Sequence, residues 1–216
     1  MKCLPPLKKL SEPTKICKIC FSEINDNSLL NLLNRDIDVC QRCFQEIKMH
    51  FFKFEVLGYS AISIYRYDEK IQSLLYQFKG CFDFELFDVF FGRILHELRF
   101  RYLGYVVVPV PSYKQEDEIR EFNHVEEMFK PLKLPLRHML TKTKKVKQAT
   151  SSTEQRKEIN KHIALSDESD LSQYKILLVD DVYTTGSTMK ACIRLIEKLH
   201  PKKIEVLVMS KTENKR

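Results

Sequence analysis

Apolar residues follow three rhythms along this chain. Ile176-Leu177-Leu178-Val179 runs without a polar break, the pattern of a strand buried on both faces of a parallel sheet. Tyr105-Val106-Val107-Val108 repeats it. Residues 60–65 alternate, as do residues 203–209, where Ile204, Val206 and Val208 share one face. Helical spacing appears in the segment holding Ile71, Leu74, Leu75 and Phe78, with acids at its start and Lys79-Gly80 at its end. It returns at Met189, Cys192, Ile193, Ile196 and Leu199, and weaker helical patterns cover residues 42–54, 88–100 and 119–129. Strands buried on both faces, interleaved with helices, predict an α/β fold with a parallel sheet flanked by helices.

Ligands of such sheets sit beyond the carboxyl ends of the strands. The run 176–179 ends there in two adjacent carboxylates, Asp180 and Asp181, followed by Thr184-Thr185-Gly186-Ser187-Thr188 and a helix. Gly186 permits a tight turn, and hydroxyls with free N–H groups at a helix start form an anion cradle. The carboxylates are acceptors suited to sugar hydroxyls. A phosphate in the cradle and a ribose against the acids describe a 5-phosphoribosyl group. The second buried strand ends in Pro109-Val110-Pro111-Ser112, the matching place for pyrophosphate, and Arg120 follows. Arg120 reads equally as a bidentate phosphate ligand and as a solvated helix charge.

Cysteine usage adds a second element. Cys17 and Cys20, then Cys40 and Cys43, form two CxxC knuckles separated by 19 residues, the spacing of a four-thiolate zinc site. Phe21 and Phe44 follow the knuckles and are expected to cover the metal. The segment is too poor in apolar residues to fold by burial alone, so metal would supply the stability. The domain division expected is a zinc-binding module at 1–50 and an α/β domain at 51–216. His50 is an alternative ligand, Cys192 falls on the apolar side of its helix, and Cys3 and Cys81 lack ligand spacing.

Charge is uneven. The chain of 216 residues carries a net charge of +7, and residues 130–161 alone hold 10 basic and 2 acidic side chains. A concentrated basic patch argues for a polyanionic partner. Residues 141–153 lack apolar periodicity and read as a basic loop that closes over a ligand, holds a nucleic-acid backbone or is simply solvated. Aromatic interleaving is absent there, so any base stacking lies elsewhere. No apolar run reaches membrane-spanning length and the N-terminus lacks an apolar signal region, which leads to the expectation of a cytoplasmic protein.

The 176–188 stretch resembles the signature of type I phosphoribosyltransferases, which bind phosphoribosyl pyrophosphate (PRPP) with magnesium. Together with the four-cysteine module, the helix ending at Lys79, the VPVP strand end and Arg120-Glu121-Phe122-Asn123, it resembles the ComF family over residues 17–211. The resemblance implies a phosphoribosyltransferase-like domain with a small N-terminal zinc finger, acting in natural transformation. It implies that single-stranded DNA is a partner, that a ComFA-type helicase is another, and that peripheral association with the uptake machinery is open. Asp180 and Asp181 would face the ribose hydroxyls. Thr184, Thr185, Gly186, Ser187 and Thr188 would hold the 5′-phosphate, and Cys17, Cys20, Cys40 and Cys43 would bind Zn2+. Glu121 stands where the family often has glycine. Gln148, Arg156 and Asn160 can be laid on a further family stretch in which Ser151 replaces a leucine. Two other readings stand beside DNA uptake: a working Mg2+-dependent phosphoribosyltransferase acting on a nucleobase or related acceptor, and a protein-interaction module. Neither a base-recognition site nor a general base can be named from the sequence.

Overall fold

A computed structural model of the chain describes residues 15–24, 38–81, 83, 86, 89–112, 123–142 and 163–213. Arg120, Glu121, Gln148, Ser151, Arg156, Asn160, Cys3 and most of the basic loop lie outside these residues.

Helix α1 (Gln41–Glu46) leads into a hairpin of β1 (Met49–Val56) and β2 (Tyr59–Arg66). Helix α2 (Glu69–Gly80) follows, then α3 (Leu95–Arg101), entered through a 3-10 turn at Gly92–Ile94, and strand β3 (Tyr105–Pro109). Helix α4 (His124–Phe129) precedes the short antiparallel pair β4 (Leu140–Lys142) and β5 (Ile163–Leu165). Strand β6 (Lys175–Tyr183), helix α5 (Ser187–Glu197) and strand β7 (Lys203–Lys211) complete the described chain. The main sheet has the order β1-β2-β7-β6-β3, in which β2, β7, β6 and β3 run parallel and β1 is an antiparallel edge.

Burial explains the order. Leu177, Leu178, Val179, Val206, Leu207 and Val208 are wholly inaccessible, so β6 and β7 lie at the centre with cover on both faces. One face packs Ile64, Val107, Leu177, Val179 and Leu207 against α2, α3 and α4. Cys17, Ile19, Val39 and Cys43 belong to that same apolar cluster. The opposite face packs Val106, Val108, Ile176, Leu178 and Val206 against Met189, Cys192, Ile193 and Ile196 of α5.

Four expectations change. The helical pattern over 42–54 is a helix only to Glu46; from Met49 the chain is a strand. Its apolar residues suit either period, and the turn decides: Leu57 and Gly58 both take left-handed backbone (φ 54° and 83°), which closes a two-residue hairpin. Strand β7 extends to Lys211 and does not alternate between core and solvent, because its central place buries the odd residues too. Among these, Glu205 accepts from the Tyr105 hydroxyl at 2.8 Å and pairs with Lys203 at 2.7 Å. The helical pattern over 88–100 is regular only from Leu95, and for 119–129 the described helix starts at His124.

Asp68 caps α2 by accepting from the Ile71 amide at 2.9 Å. Asp68→Ala should lower stability by about 1 kcal/mol. The urea midpoint should fall with the m-value unchanged; an unmoved midpoint would mean that the cap contributes nothing.

Candidate functional site

Strand β6 delivers both carboxylates to the carboxyl end of the parallel sheet. The side-chain period of two sends them to opposite faces. Asp181 follows Leu177 and Val179 toward α2 and α4, and Asp180 follows Ile176 and Leu178 toward α5. Each is oriented by the chain itself: Asp180 accepts from the Asp181 amide at 2.9 Å, and Asp181 from the Val182 amide at 2.7 Å. Both line one pocket of about 270 Å³ with Lys79, His124, Thr188, Lys142 and the Val110-Pro111-Ser112 segment after β3. A hollow of about 360 Å³ shares Val110, Pro111, Ser112 and Lys142 and continues toward Asn123 and His138.

The turn from β6 to α5 depends on Gly186. Its φ of 72° is left-handed, and a Cβ there would lie 2.1 Å from the Tyr183 hydroxyl oxygen. The Gly186 carbonyl accepts the first bond of α5 from the Lys190 amide at 2.8 Å. Thr185 Oγ1 and Ser187 Oγ are 2.9 Å apart, which gathers hydroxyls beside the helix start. Of the residues expected to hold a phosphoribosyl group, Asp180, Asp181 and Thr188 face the pocket and Gly186 shapes its loop. Thr184 and Thr185 are exposed on that loop, and Ser187 opens α5.

The acids are held in different states. Burial alone would push Asp181 toward its protonated form. His124 Nε2 at 3.6 Å and Lys79 Nζ at 2.5 Å outweigh it and hold the carboxyl well below the usual carboxylate range. For Asp180, burial and the neighbouring Asp181 charge act together and push its carboxyl well up. One acid is therefore a clamped anion, and the other gains from any cation or hydroxyl donor entering the pocket. Lys79 enters the sequence reading only as the end of a family-like helix, with no role at the site, and His124 does not enter it. Lys79 lies one position beyond the apolar stripe that ends at Phe78, and His124 one position after the helix cap Asn123. Neither place marks a site residue by its spacing; only the approach of α2 and α4 to the end of β6 brings them to the acids.

The four cysteines meet as the spacing predicts. The Sγ atoms of Cys17, Cys20, Cys40 and Cys43 all lie within 4.8 Å of one another, and those of Cys20 and Cys40 are 3.6 Å apart. Tetrahedral zinc with bonds of about 2.3 Å would separate its sulfurs by about 3.8 Å, so the cluster fits the ion. Cys17 Sγ also accepts from the Cys40 amide at 3.3 Å, which ties the two knuckles together. Cys17 and Cys43 are buried, as suits a closed structural site. Phe44 packs on the core, but Phe21 is 71% exposed and does not cover the cysteine cluster among the described residues. Its backbone is left-handed (φ 57°), which turns the knuckle and points the ring outward. His50 is not part of the cluster and stacks on Phe52 instead. Cys192 is core, as expected.

Residues 124–216 match the Phosphoribosyl transferase domain family. Competence protein ComFC of Streptococcus pneumoniae is 26% identical, covering 88% of this chain and 83% of its own. ComFC of Bacillus subtilis is also 26% identical, covering 88% and 81%. Solved structures of a purine phosphoribosyltransferase from Pyrococcus horikoshii and a hypoxanthine phosphoribosyltransferase from Staphylococcus aureus superpose at TM-scores of 0.36 and 0.39. Their identities are 18% and 14%; the first match covers 58% of this chain and 73% of the other, the second 62% and 76%. Similarity that low adds no weight to the sheet order and the domain match. No helix among the described residues is long and apolar enough to cross a membrane.

Two outcomes test this geometry. The folded state holds the Asp180 proton more tightly than the unfolded chain does, so ionising it at neutral pH costs stability. Asp180→Asn should therefore melt above the wild type at pH 7, with the gap closing as pH falls toward about 4. Equal melting at pH 7, or a gap that widens in acid, would contradict the assignment. Purified protein should carry about one zinc ion per chain, and a chelator should lower the melting temperature by on the order of 10 °C or more. Because Cys17 and Cys43 share the sheet's core, a chelated protein that melts unchanged would remove the metal from the fold.

Proposed function

We propose that this ComFC-like chain, with its phosphoribosyltransferase-like fold and four-cysteine cluster, is a cytoplasmic DNA-uptake factor of natural transformation. In this reading it binds single-stranded DNA together with PRPP, or a related phosphoribosyl ligand, and Mg2+. The observation that supports it most is the opposed pair Asp180 and Asp181 at the end of β6, facing one pocket with Thr188 beside the Gly186 turn. The acids are the acceptors a ribose needs, and the start of α5 is a place for the 5′-phosphate. Lys79, Lys142 and the segment after β3 surround the same hollow, where a pyrophosphate with its cation would be charge-balanced. Mg2+ would neutralise the phosphates and add its own charge beside Asp180, favouring release of the proton that burial holds there.

The zinc module (residues 1–50) then serves the domain at 51–216 as a structural part, sharing its core. DNA uptake enters through the competence relatives, and the basic segment 130–161 supports a nucleic-acid backbone as partner. A ComFA-type helicase is the protein partner this reading brings, and peripheral association with the uptake machinery follows from it.

Calorimetric titration of the zinc-loaded protein with PRPP and Mg2+ tests the pocket. The wild type should bind, and Asp181→Asn should lose about tenfold or more in affinity while keeping its fold by circular dichroism. Gly186→Ala should lose binding through the clash with Tyr183. Absence of binding by the wild type, or unchanged affinity in Asp181→Asn, would sink the phosphoribosyl assignment. Affinity for single-stranded DNA should fall with salt at a log–log slope of about −0.7 per phosphate contact.

A further inference from the structure

The antiparallel edge strand β1 carries His50, Phe51 and Phe52 outward, while Phe54 is half-buried and packs against the core. Of its eight residues, Phe51 and Phe52 are 36% and 38% exposed, His50, Lys53 and Glu55 are exposed as well, and only Val56 is buried. The His50 and Phe52 rings stack at 5.7 Å with an angle of 24° between their planes. A register shift between Met49 and Phe52, with Phe51 in left-handed backbone (φ 47°), re-aims the side chains here. Two residues on, by the strand's own period, Phe54 meets Tyr183 edge-on at 4.8 Å, with Lys211 Nζ 5.5 Å over its ring. Tyr183 is the side chain that covers Gly186. His50, Phe52, Phe54 and Tyr183 thus trace a line of rings from the sheet edge to the phosphate loop.

An edge strand bearing exposed phenylalanines is ordinarily blunted or covered. Here lysines flank the strip: Lys48, exposed, comes just before β1, and Lys211 sits over Phe54. Near-parallel rings with cations beside them are the chemistry that holds unpaired bases, each base stacking on a ring face while its phosphate meets an ammonium. A paired duplex hides its base faces and cannot use such a strip. A protein strand added to the edge would be recognised by its backbone and would need neither rings nor lysines. We propose that the exposed His50–Phe52 pair is a base-stacking platform for single-stranded DNA, with Phe54, Tyr183 and Lys211 leading from it toward the Gly186 loop. The platform rests on the DNA-binding reading above and supplies what the basic segment lacks, a place for the bases. It also puts one end of the bound strand beside the loop at Gly186.

The test uses full-length zinc-loaded protein, a labelled oligothymidylate and an abasic deoxyribose-phosphate oligomer of equal length, read by fluorescence anisotropy. The double substitution His50→Ala with Phe52→Ala should weaken oligothymidylate binding by roughly tenfold or more. It should leave the salt slope, the affinity for the abasic oligomer and the affinity for PRPP unchanged, since the phosphate contacts remain. Phe52→Leu, which keeps an apolar side chain but no ring, should show most of the loss and guards against a folding artefact. A wild type that binds oligothymidylate while both variants bind equally well overturns the platform and leaves DNA uptake standing. A wild type that binds neither oligomer at low salt overturns both. Altered self-association in sedimentation with DNA affinity intact would mark the strip as a protein interface and overturn the platform too.

Discussion

Two adjacent carboxylates at the end of a strand covered on both faces are electrostatically expensive, and much of this molecule is arranged around that cost. Placing both on one face would set like charges together in a low dielectric. The strand period separates them, and each then meets a different layer of the fold. Asp181 is met by Lys79 and His124, so α2 and α4 must both approach the carboxyl end of β6. For Asp180, the Asp181 amide and the Lys79 charge offset burial and the neighbouring Asp181 charge only in part, so it keeps a raised proton affinity. That is a local instability of the kind a ligand with a cation can relieve.

The clamp on Asp181 reaches further than the pocket. Lys79 is positioned by α2, whose buried residues Ile71, Leu74, Leu75 and Phe78 anchor it on the sheet. The same helix is tied to α1 of the cysteine module by Lys70 and Glu46 at 2.6 Å. Cys17 and Cys43 lie in the cluster that also contains Phe78 and Val179. Metal in the module would therefore stiffen the layer that carries Lys79, linking a structural zinc to the electrostatics of a pocket it does not touch. On the other side of the sheet, the hairpin adds β1 as an edge whose aromatic residues run toward Tyr183. The turn at Gly186 is thus bounded on that side by the hairpin, through Phe54 and Tyr183.

Local pattern carried much of this. The unbroken apolar runs of β3 and β6, the stripe of α2, the acid pair, the Gly186 turn and the paired cysteine knuckles all depend on residues close in sequence, where spacing alone sets periodicity or ligand geometry. Other features depend on neighbours far along the chain. Residues 49–56 suit a helix or a strand until the Leu57-Gly58 turn sets them against β2. Phe21 follows a knuckle as a covering aromatic would, yet its backbone turns it into solvent. Local spacing gives Lys79 and His124 no role, because they become site residues only through the crossing of helices over a strand about a hundred and about sixty residues away. Short-range spacing was enough for the buried strands β3 and β6, the meeting of the four cysteines and the acidic strand end. Tertiary structure alone decided which acid is clamped, by which cation, and which aromatics stand exposed beside the loop, because burial and charge balance are properties of packed layers rather than of the chain.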